Sequence, residues 1–544
     1  MSWLRHARVS RWALLAALPV TVAVACRSGG ATGGAAGGME AVPTTPTARG
    51  AAAGHEAADA GAANGPAVVR MLLANDVYVT DTLRDGTGGL ARVAALRDSI
   101  EQATRSRVLF VLAGDVLSPS VLSKWYGGAQ MVDGFNAARL DLAALGNHEF
   151  DGSRANLLAR LGESRFRWLS GNCTEANGTP FPGVRGWDTV RVSGVKVGIF
   201  STNIVLDYPS YVRCRNADSA TTVLVDTLQQ QGADLVVGLT HRLMYQDSLT
   251  LRNEPRIHAI LGGHDHDGRR LVQNGRVIVK AVSNVRTVYL VTFTRSADGW
   301  NIQDQEIHIG HGMRDDPATL ASVARWRDTL NRRIGPDRIL GIAPEPINAI
   351  DSISKRESRF GNMIVDAMRT GTGADVAMIN SGALRFDDIM PAGPITRHMI
   401  EGVFLFADET RAVTFPLTGA RLRELIETGI RLGALGGGPY PQVSGVRFRF
   451  DARQPSGARV IGAITRDDGR VIRPTDTLRV TFVTYPACRS GDGYRIPEAA
   501  AACAAYEQNP TSIPRTADLV MQHLERMNGR IVMPPIERVV RLDR

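Results

Sequence analysis

Polar side chains that suit metal ions follow five short apolar runs in the first half of the sequence. They are Asp76, Asp115 in AGD, Asn147 and His148 in GNHEFD, His241 in LTH, and His264 and His266 in GGHDH. Carboxylate, amide and imidazole groups together suit divalent transition metals, and one carboxylate placed between two ions can bridge them. A single histidine at a strand end is commonly a structural residue. Five such ends in one region indicate a metal centre.

The runs that carry these residues have the pattern of buried strands. Runs such as RVLFVLAGD and ADLVVGLTH are almost continuously apolar, and helical stretches such as GGLARVAALRDSIEQAT separate them. Strands that are buried on both faces and alternate with helices predict a layered α/β domain. Ligands in such sheets bind at the carboxyl ends of the strands, which is where the Asp, Asn and His residues lie.

The second half of the sequence predicts a mixed α+β domain. SRFGNMIVDAMRTG has apolar residues at helical spacing and is expected to stop at Gly371 or Gly373. TGARLRELIETGI repeats the arrangement with Thr418 as the expected N-cap. Strand-like runs such as ADVAMIN and TLRVTFVTY lie between and after these helices. The charged stretch PATLASVARWRDTLNRRIG predicts a connecting helix, where we place the domain boundary.

Length and charge narrow the class of protein and of partner. At 544 residues the chain is too long for one hydrophobic core, so two folded domains are expected. The net charge of +9 is spread out and lacks the dense basic block of a nucleic-acid groove. We therefore expect a small anionic substrate and no nucleic-acid partner, and the sequence does not specify the oligomeric state.

The N-terminal segment has the pattern of an export signal. Three arginines precede an apolar stretch from Trp12 to Ala25, which is shorter than a transmembrane helix requires. We predict a signal peptide over residues 1–25, and either lipidation of Cys26 or ordinary cleavage after Ala25. Residues 26–66, rich in Gly and Ala, predict a disordered tether. The chain is expected to be a periplasmic or outer-membrane lipoprotein of a bacterium that contacts a membrane only through its lipid anchor.

Four cysteines remain besides Cys26, and export to an oxidising compartment favours their pairing. They are Cys173, Cys214, Cys488 and Cys503. Four cysteines allow three pairings. Proximity within a domain favours Cys173 with Cys214 and Cys488 with Cys503.

The motifs AGD, GNHEFD, TH and GGHDH, in this order, resemble those of the calcineurin-like metallophosphoesterases, and within them the bacterial and ectocellular 5′-nucleotidases and UDP-sugar hydrolases. The resemblance continues in RESRFGNMIVDAMR, NSGALR, PQVSGVRF and SGDGY, so it covers nearly all of the chain after residue 67. It implies a four-layer α/β/β/α sandwich domain over residues 67–312, a linker helix over 313–338 and an α+β 5′-nucleotidase C-terminal domain over 339–544.

The resemblance also implies two divalent metal ions, of Mn, Zn, Co or Fe. Asp115 would bridge the two ions. Asp76 and His266 would complete one site, and the other would be completed by Asn147, His241 and His264. Such a pair of ions acidifies a water molecule and neutralises the charge of a phosphate under in-line attack.

His148 would lie beside the phosphate without binding metal. By the same resemblance it would stabilise the transition state or assist the leaving oxygen, and Asp151 would orient its ring. These two residues are the predicted catalytic pair.

Tyr78 departs from the family pattern at the first strand. The pattern there is DxH, whose His is a metal ligand, whereas this chain has Asp76, Val77 and Tyr78. Three alternatives stay open. Tyr78 ligates through its phenolate, or it fills space beside a weakened but occupied site, or the first site is lost.

The family's C-terminal domain implies residues that recognise the substrate. Phe406 aligns with the first of two rings that sandwich a base, whereas the position of the second ring is Pro486, with Tyr485 one place before it. The other matched positions are Arg356, Asn380, Arg385 and Asp492. Arginine suits phosphate because its planar fork binds two oxygens at once.

The resulting prediction is an exported 5′-nucleotidase that hydrolyses nucleoside phosphates through a dimetal-activated hydroxide. An alternative is a phosphoesterase that acts on UDP-sugars or 2′,3′-cyclic nucleotides, because the base clamp is altered. A third hypothesis is a nucleotide-binding relative without catalysis, because Tyr78 replaces a ligand. The complete set of metal-binding positions elsewhere favours catalysis.

Overall fold

The computed structural model describes residues 66–83, 85–206, 208–348, 356–384, 389–390, 392–406, 410–433 and 438–543. The predicted signal peptide, the predicted lipidation site Cys26 and nearly all of the predicted tether lie outside these residues, as does Arg385. Of the helices within the described ranges, none combines the length and the hydropathy that a membrane span requires.

The first half consists of two large sheets flanked by helices, together with a two-stranded sheet of β5 and β8. Its strands are β1 Val68–Ala74, β2 Val108–Leu112, β3 Leu142–Ala144, β4 Arg167–Leu169, β5 Cys173–Glu175, β6 Trp187–Val192, β7 Val195–Phe200, β8 Val212–Cys214, β9 Leu235–Thr240, β10 Ala259–Gly262, β11 Arg269–Gln273, β12 Arg276–Lys280, β13 Thr287–Ser296 and β14 Gly299–His308. Its α-helices are α1 Leu90–Thr104, α2 Val121–Tyr126, α3 Ala129–Ala137, α4 Arg154–Glu163, α5 Ala217–Gln230, α6 Met244–Asn253 and α7 Pro317–Ile334.

Each of the two large sheets has six strands and a parallel centre. The first has the order β14-β13-β1-β2-β3-β4, in which β1 to β4 are parallel. The second has the order β11-β12-β10-β9-β7-β6, in which β7, β9, β10 and β12 are parallel. The parallel centres explain why these runs are apolar throughout, since both faces of each strand are covered.

Alternate residues of one strand pack into different layers. In β1, Met71 and Leu73 face the core between the two sheets, together with Val237 and Leu239 of β9. Leu72 of β1 points the other way, into a core that it shares with α1 and α3. The outer face of the second sheet packs on α5 and α6 in the same manner. The predicted four-layer α/β/β/α sandwich is therefore confirmed.

Helix α7 leads from the first half to the second. The Asp316 side chain accepts a hydrogen bond from the Thr319 amide at 2.8 Å, and Pro317 occupies the first helical turn. The helix is anchored on the first domain, because Ser322 and Trp326 both donate to the Asp133 carboxylate, at 2.6 and 2.9 Å. The predicted domain limits stay a prediction.

The second half is an α+β domain, as predicted. Its strands are β15 Ile339–Ala343, β16 Ile347–Asn348, β17 Val376–Asn380, β18 Ile389–Met390, β19 Gly393–Thr396, β20 Ala412–Thr418, β21 Pro441–Ser444, β22 Arg447–Phe450, β23 Val460–Thr465, β24 Thr477–Val483 and β25 Val539–Arg541. Its α-helices are α8 Arg359–Thr372, α9 Arg397–Val403, α10 Gly419–Gly433, α11 Thr484–Arg489, α12 Ala500–Gln508 and α13 Thr516–Arg526. Strands β20, β24, β17 and β21 form the larger sheet, in that order.

Local sequence explains the two longest helices of this domain. Helix α8 begins after Ser358, whose hydroxyl accepts from the Gly361 amide, and ends at Gly373, whose φ of 64° favours glycine. Thr418 accepts from the Arg421 amide at the start of α10, as predicted for an N-cap. The apolar faces of α8 and α10 are buried in one core with the larger sheet.

Candidate metal centre and substrate cleft

The predicted metal ligands lie at the carboxyl ends of strands in both sheets. Asp76 follows β1, Asp115 follows β2 and Asn147 follows β3 in the first sheet. His241 follows β9, and the GGHDH segment follows β10, in the second. Parallel strands place their carboxyl ends at one edge, and face-to-face packing of the sheets brings the two edges together. The structure thus gathers residues that are far apart in the chain.

One group of donor atoms comes from Asp76, Asp115 and His266, which offer ligand atoms within 4.8 Å of one another. Oδ1 of Asp76 lies 3.4 Å from Nε2 of His266. Asp76 is fully buried, and its Oδ1 has no hydrogen-bond partner among the described residues. An unpaired buried carboxylate oxygen is unfavourable, and a bound cation would remove that cost. This orphaned atom shows that the residues fit a metal ion.

A second group comes from Asp115, His241 and His264, again with ligand atoms within 4.8 Å of one another. Oδ1 of Asn147 lies 3.2 Å from Nε2 of His241 and 3.0 Å from Nδ1 of His264. Nδ1 of His241 donates to the Ala113 carbonyl at 2.7 Å, which leaves Nε2 to face the other donors. Asp115 belongs to both groups, as a bridging ligand would.

The charges of the centre also suit a cation. Burial raises the pKa of Asp115, but His241 and His148 outweigh burial and hold that pKa well below its usual range. Burial lowers the pKa of His241, yet the Asp115 carboxylate outweighs it and raises this pKa to about 10. Burial lowers the pKa of His264 to about 4. At neutral pH, Asp115 is therefore ionised and His264 is neutral, the states that metal binding requires, whereas His241 is protonated and must release its proton when a metal binds.

The Tyr78 hydroxyl lies inside the first donor group. Its oxygen is 3.0 Å from Nε2 of His266 and 3.3 Å from Oδ2 of Asp115. Burial, followed by the charges of Asp115 and Asp76, raises the pKa of Tyr78 well above its ordinary value. The phenol thus occupies the place that the family pattern gives to a histidine, and it stays neutral unless a cation offsets the carboxylates.

His148 and Asp151 form the predicted catalytic pair. Nδ1 of His148 lies 2.8 Å from Oδ2 of Asp151, and Nε2 lies 4.0 Å from Oδ2 of Asp115. The His148 amide donates to Oδ1 of Asp115 at 2.8 Å, so the backbone is tied to the metal centre while the ring stays partly exposed. Because a carboxylate only accepts, Asp151 fixes the proton of the ring on Nδ1.

Glu149 is a positioning residue that sequence analysis missed. Its buried carboxylate accepts hydrogen bonds from the backbone amides of Asp115, Val116, Leu117 and Gly146, at 2.5 to 3.0 Å. It thereby holds the loop of Asp115 against the loop that carries the catalytic pair. Its place within GNHEFD was visible in the sequence, but a carboxylate's amide partners depend on tertiary packing.

Lys280 is a second residue that sequence analysis missed, and it contacts the GGHDH loop through Asp265 and Gly263. It is fully buried at the end of β12, and Nζ lies 2.7 Å from Oδ2 of Asp265, 2.9 Å from Oδ2 of Asp247 and 2.9 Å from the Gly263 carbonyl oxygen. It also donates to the Arg242 carbonyl. No spacing in the sequence indicated this network.

A cleft of about 280 Å³ joins the two halves of the molecule beside the catalytic pair. His148, Asp151 and Lys124 line it from the first half, and Phe406 and Arg489 line it from the second. The structure therefore brings the predicted base-stacking ring and the predicted catalytic pair onto one cavity.

The other predicted substrate-binding residues do not all lie in one place. Nδ2 of Asn380 donates to Oδ2 of Asp492 at 2.6 Å, so these two lie together. The Tyr485 ring packs against Gly491, where an added Cβ would lie 2.4 Å from the ring. Arg356 lines a different cavity, of about 610 Å³, which shares no lining residue with the cleft that contains Phe406. Arg385 lies outside the described residues.

Both predicted disulfide bonds are present in the structure. Cys173 pairs with Cys214 and links β5 to β8. Cys488 pairs with Cys503 and links α11 to α12, next to Arg489 in the wall of the cleft.

Comparison with known proteins agrees with this architecture. The family model of the calcineurin-like phosphoesterases matches residues 69–268, and that of the 5′-nucleotidase C-terminal domain matches residues 340–499. Protein 5NUC of Lutzomyia longipalpis is 25% identical over 422 residues, which cover 69% of this chain and 73% of the relative. The snake venom 5′-nucleotidase of Naja atra is 23% identical over 469 residues, which cover 76% and 86%.

A similar fold is seen in the crystal structure of a 5′-nucleotidase precursor from Thermus thermophilus. The TM-score is 0.70 at 22% identity, covering 88% of this chain and all of that one. With both family models matched in order, the chain belongs to the calcineurin-like phosphoesterases that carry a 5′-nucleotidase C-terminal domain.

Proposed function

We propose that this chain is a metal-dependent phosphohydrolase that releases inorganic phosphate from nucleoside 5′-monophosphates. One observation carries the proposal: two donor groups share Asp115, whose carboxylate accepts a hydrogen bond from the His148 amide, and His148 and Phe406 line one cleft. Relatives that bear the name 5′-nucleotidase support the substrate class.

The chain's own residues would hold two divalent ions of the Mn, Zn, Co or Fe type. Asp76, Asp115 and His266 would hold the first, and the second would be held by Asp115, Asn147, His241 and His264. The chemistry that two bound ions supply at such a site is activation of water and neutralisation of phosphate charge.

His148 would act on the phosphate from the side of the cleft. Asp151 accepts a hydrogen bond from Nδ1, so Nε2 is the nitrogen available to the substrate. In the protonated ring, Nε2 donates to a phosphate oxygen or to the leaving oxygen as charge develops there. This role requires no metal contact, in keeping with the exposed face of the ring.

Phe406 would stack on the base, and the Asn380 and Asp492 pair would contact the nucleoside. The predicted roles of Tyr485, Arg356 and Arg385 belong to the same proposal. A UDP-sugar or a 2′,3′-cyclic nucleotide is the alternative substrate class, because Pro486 replaces the second ring of the clamp.

The test is phosphate release by the full chain, stripped of metal and then given Mn, Zn, Co or Fe separately, with bound metal counted. AMP, UDP-glucose and an aryl phosphate are the substrates, and His148→Ala is the inactive control. Turnover of AMP with two ions per chain is expected. Turnover of UDP-glucose alone would support the alternative substrate. One ion or none, without turnover, would indicate a binding protein.

We also infer that the chain acts outside the cytoplasm as a lipoprotein anchored through Cys26. The two disulfide bonds support an oxidising compartment. If the anchor exists, Cys26→Ser moves the protein from the membrane fraction to the soluble periplasmic fraction. Wild-type protein that is already soluble would contradict the anchor.

A further inference from the structure

A buried lysine crosses from the first domain to the second at the wall of the cleft. Lys124 lies on α2, directly after the cleft-lining loop at Ser118 to Ser120. Its Nζ donates to the Phe404 carbonyl at 2.8 Å and lies 3.1 Å from Oε2 of Glu401. Only 2% of the Lys124 side chain is exposed, and the Glu401 side chain is fully buried. No part of the proposed chemistry uses this lysine.

The acceptors of Lys124 lie at the end of the helix that leads to Phe406. Helix α9 ends at Val403, and Phe404 is its C-cap, so the Phe404 carbonyl belongs to the terminal turn, whose carbonyls lack partners within the helix. Two residues later, Phe406 lines the cleft. The hydrogen bond from Lys124 to the Phe404 carbonyl therefore fixes the backbone just before Phe406.

Glu401 is held from both sides as a charged group. Arg515 donates to both of its carboxylate oxygens, at 2.6 and 2.5 Å. Burial raises the pKa of Glu401, but Arg515 and Lys124 outweigh burial and keep that pKa below its usual value. Lys124 thus joins an ion pair of the second domain in which Nη2 of Arg515 donates to both oxygens of Glu401, and such paired buried charges are unfavourable to separate.

We propose that Lys124 is a positioning residue for substrate specificity: it holds Phe406 at a fixed place in the cleft that His148 also lines. The chain then favours phosphate esters whose leaving group reaches from the metal centre to an aromatic ring, as in a nucleoside monophosphate. A small aryl phosphate needs the metal centre alone. The inference deepens the proposed function and rests on it.

The test compares two substrates on the metal-loaded full chain. Lys124→Met removes the charge and keeps much of the length of the side chain. We expect the KM for AMP to rise about tenfold while kcat changes little, because binding on the base side is weakened and not the chemical step. The KM for the aryl phosphate is expected to stay within about twofold.

Three controls separate positioning from general damage. Lys196→Met removes a lysine of β7 whose Nζ donates to the Gln231 carbonyl inside the first domain, and it should leave both KM values unchanged. Phe406→Ala should give the same pattern as Lys124→Met, namely a higher KM for AMP and a nearly unchanged KM for the aryl phosphate. The double variant should be no worse than Phe406→Ala alone, because both changes remove one interaction.

The outcomes are distinct. Equal effects of Lys124→Met on both substrates, or no effect on either, overturn the inference and leave the phosphohydrolase intact. If Lys124→Met does not fold, Glu401→Gln takes its place with the same expected split. Wild-type protein that hydrolyses neither substrate overturns the proposed function, and the inference with it.

Discussion

At the scale of single residues, the metal centre is built on backbone conformations that are uncommon elsewhere. Asp76, Asp115, His264 and His266 all have positive φ, at 52°, 59°, 80° and 60°. Each such non-glycine residue costs of order 1–3 kcal/mol and persists where the surroundings determine it. The side chains are therefore aimed at the shared site before any ligand binds.

Tyr78 allows a direct test of the first metal position. Tyr78→His replaces a buried neutral phenol by imidazole, which is a better ligand for these ions. We expect the first ion to bind about tenfold more tightly, as measured by metal titration of the stripped protein. Tyr78→Phe is the matched control, because it keeps the ring and removes the oxygen. Unchanged metal content and turnover in Tyr78→His would show that position 78 does not matter to the centre.

His148 is expected to affect rate and not metal content. His148→Ala should lower kcat by about a hundredfold to ten-thousandfold, because a positioned proton donor is removed. Bound metal should stay at the wild-type number, since the ring belongs to neither donor group. Asp151→Asn, which perturbs the orientation of the ring, should give a smaller loss. Loss of metal in His148→Ala would contradict the assignment.

At the scale of elements, strand ends and loops are joined by buried polar groups. Glu149 binds the loop after β2 to the loop after β3 through backbone amides, and Lys280 of β12 binds the loop after β10 to Asp247 of α6. These contacts connect the two sheets' ligand loops to rigid elements. The geometry of the centre thus depends on residues that do not touch it.

Removal of the Lys280 charge is expected to destabilise the fold. Lys280→Met leaves Asp265 and Asp247 buried without their partner, and breaking such a pair costs about 3–5 kcal/mol of unfolding free energy. We expect a loss of this size in the free energy of unfolding measured by urea denaturation, together with weaker metal binding. Lys196→Met, on a partly exposed lysine, should stay within about 0.5 kcal/mol of wild type. Wild-type stability of Lys280→Met would mean that the network contributes little.

At the scale of the whole molecule, the active cleft is shared between two domains. The catalytic pair belongs to the sandwich and Phe406 belongs to the second domain. Lys124 and Glu401 connect the domains at this point, 277 residues apart in the sequence. We therefore expect the relative placement of the two halves to influence which phosphate esters fit.

Metal removal tests the molecule as a whole. Ions that bind the folded chain and not the unfolded chain stabilise it by about 2.7 kcal/mol at a free concentration of 100 times Kd. Chelation should therefore lower Tm, and adding back the metal that restores turnover should restore Tm. The variant Asp115→Asn, which lacks the shared ligand, should show a much smaller shift. Equal shifts in both proteins would place the stabilising ion elsewhere.

The sequence alone determined the layered fold and the order of the predicted metal ligands, and it favoured the disulfide pairings that the structure contains. Continuous apolar runs specify buried parallel strands, and ligands that follow the strands of one sheet converge at one edge of that sheet. Short motifs likewise predicted the catalytic pair and Phe406. These are properties of short segments, which local residue types encode.

Only the tertiary structure decided the contacts between distant segments. It placed the Tyr78 hydroxyl between His266 and Asp115, gave Glu149 its four amide donors, and set Arg356 and Phe406 in different cavities. It also joined Lys124 to Phe404, 280 residues away. The partners of a buried polar group depend on how whole layers and domains pack, and no local pattern in the sequence encodes that arrangement.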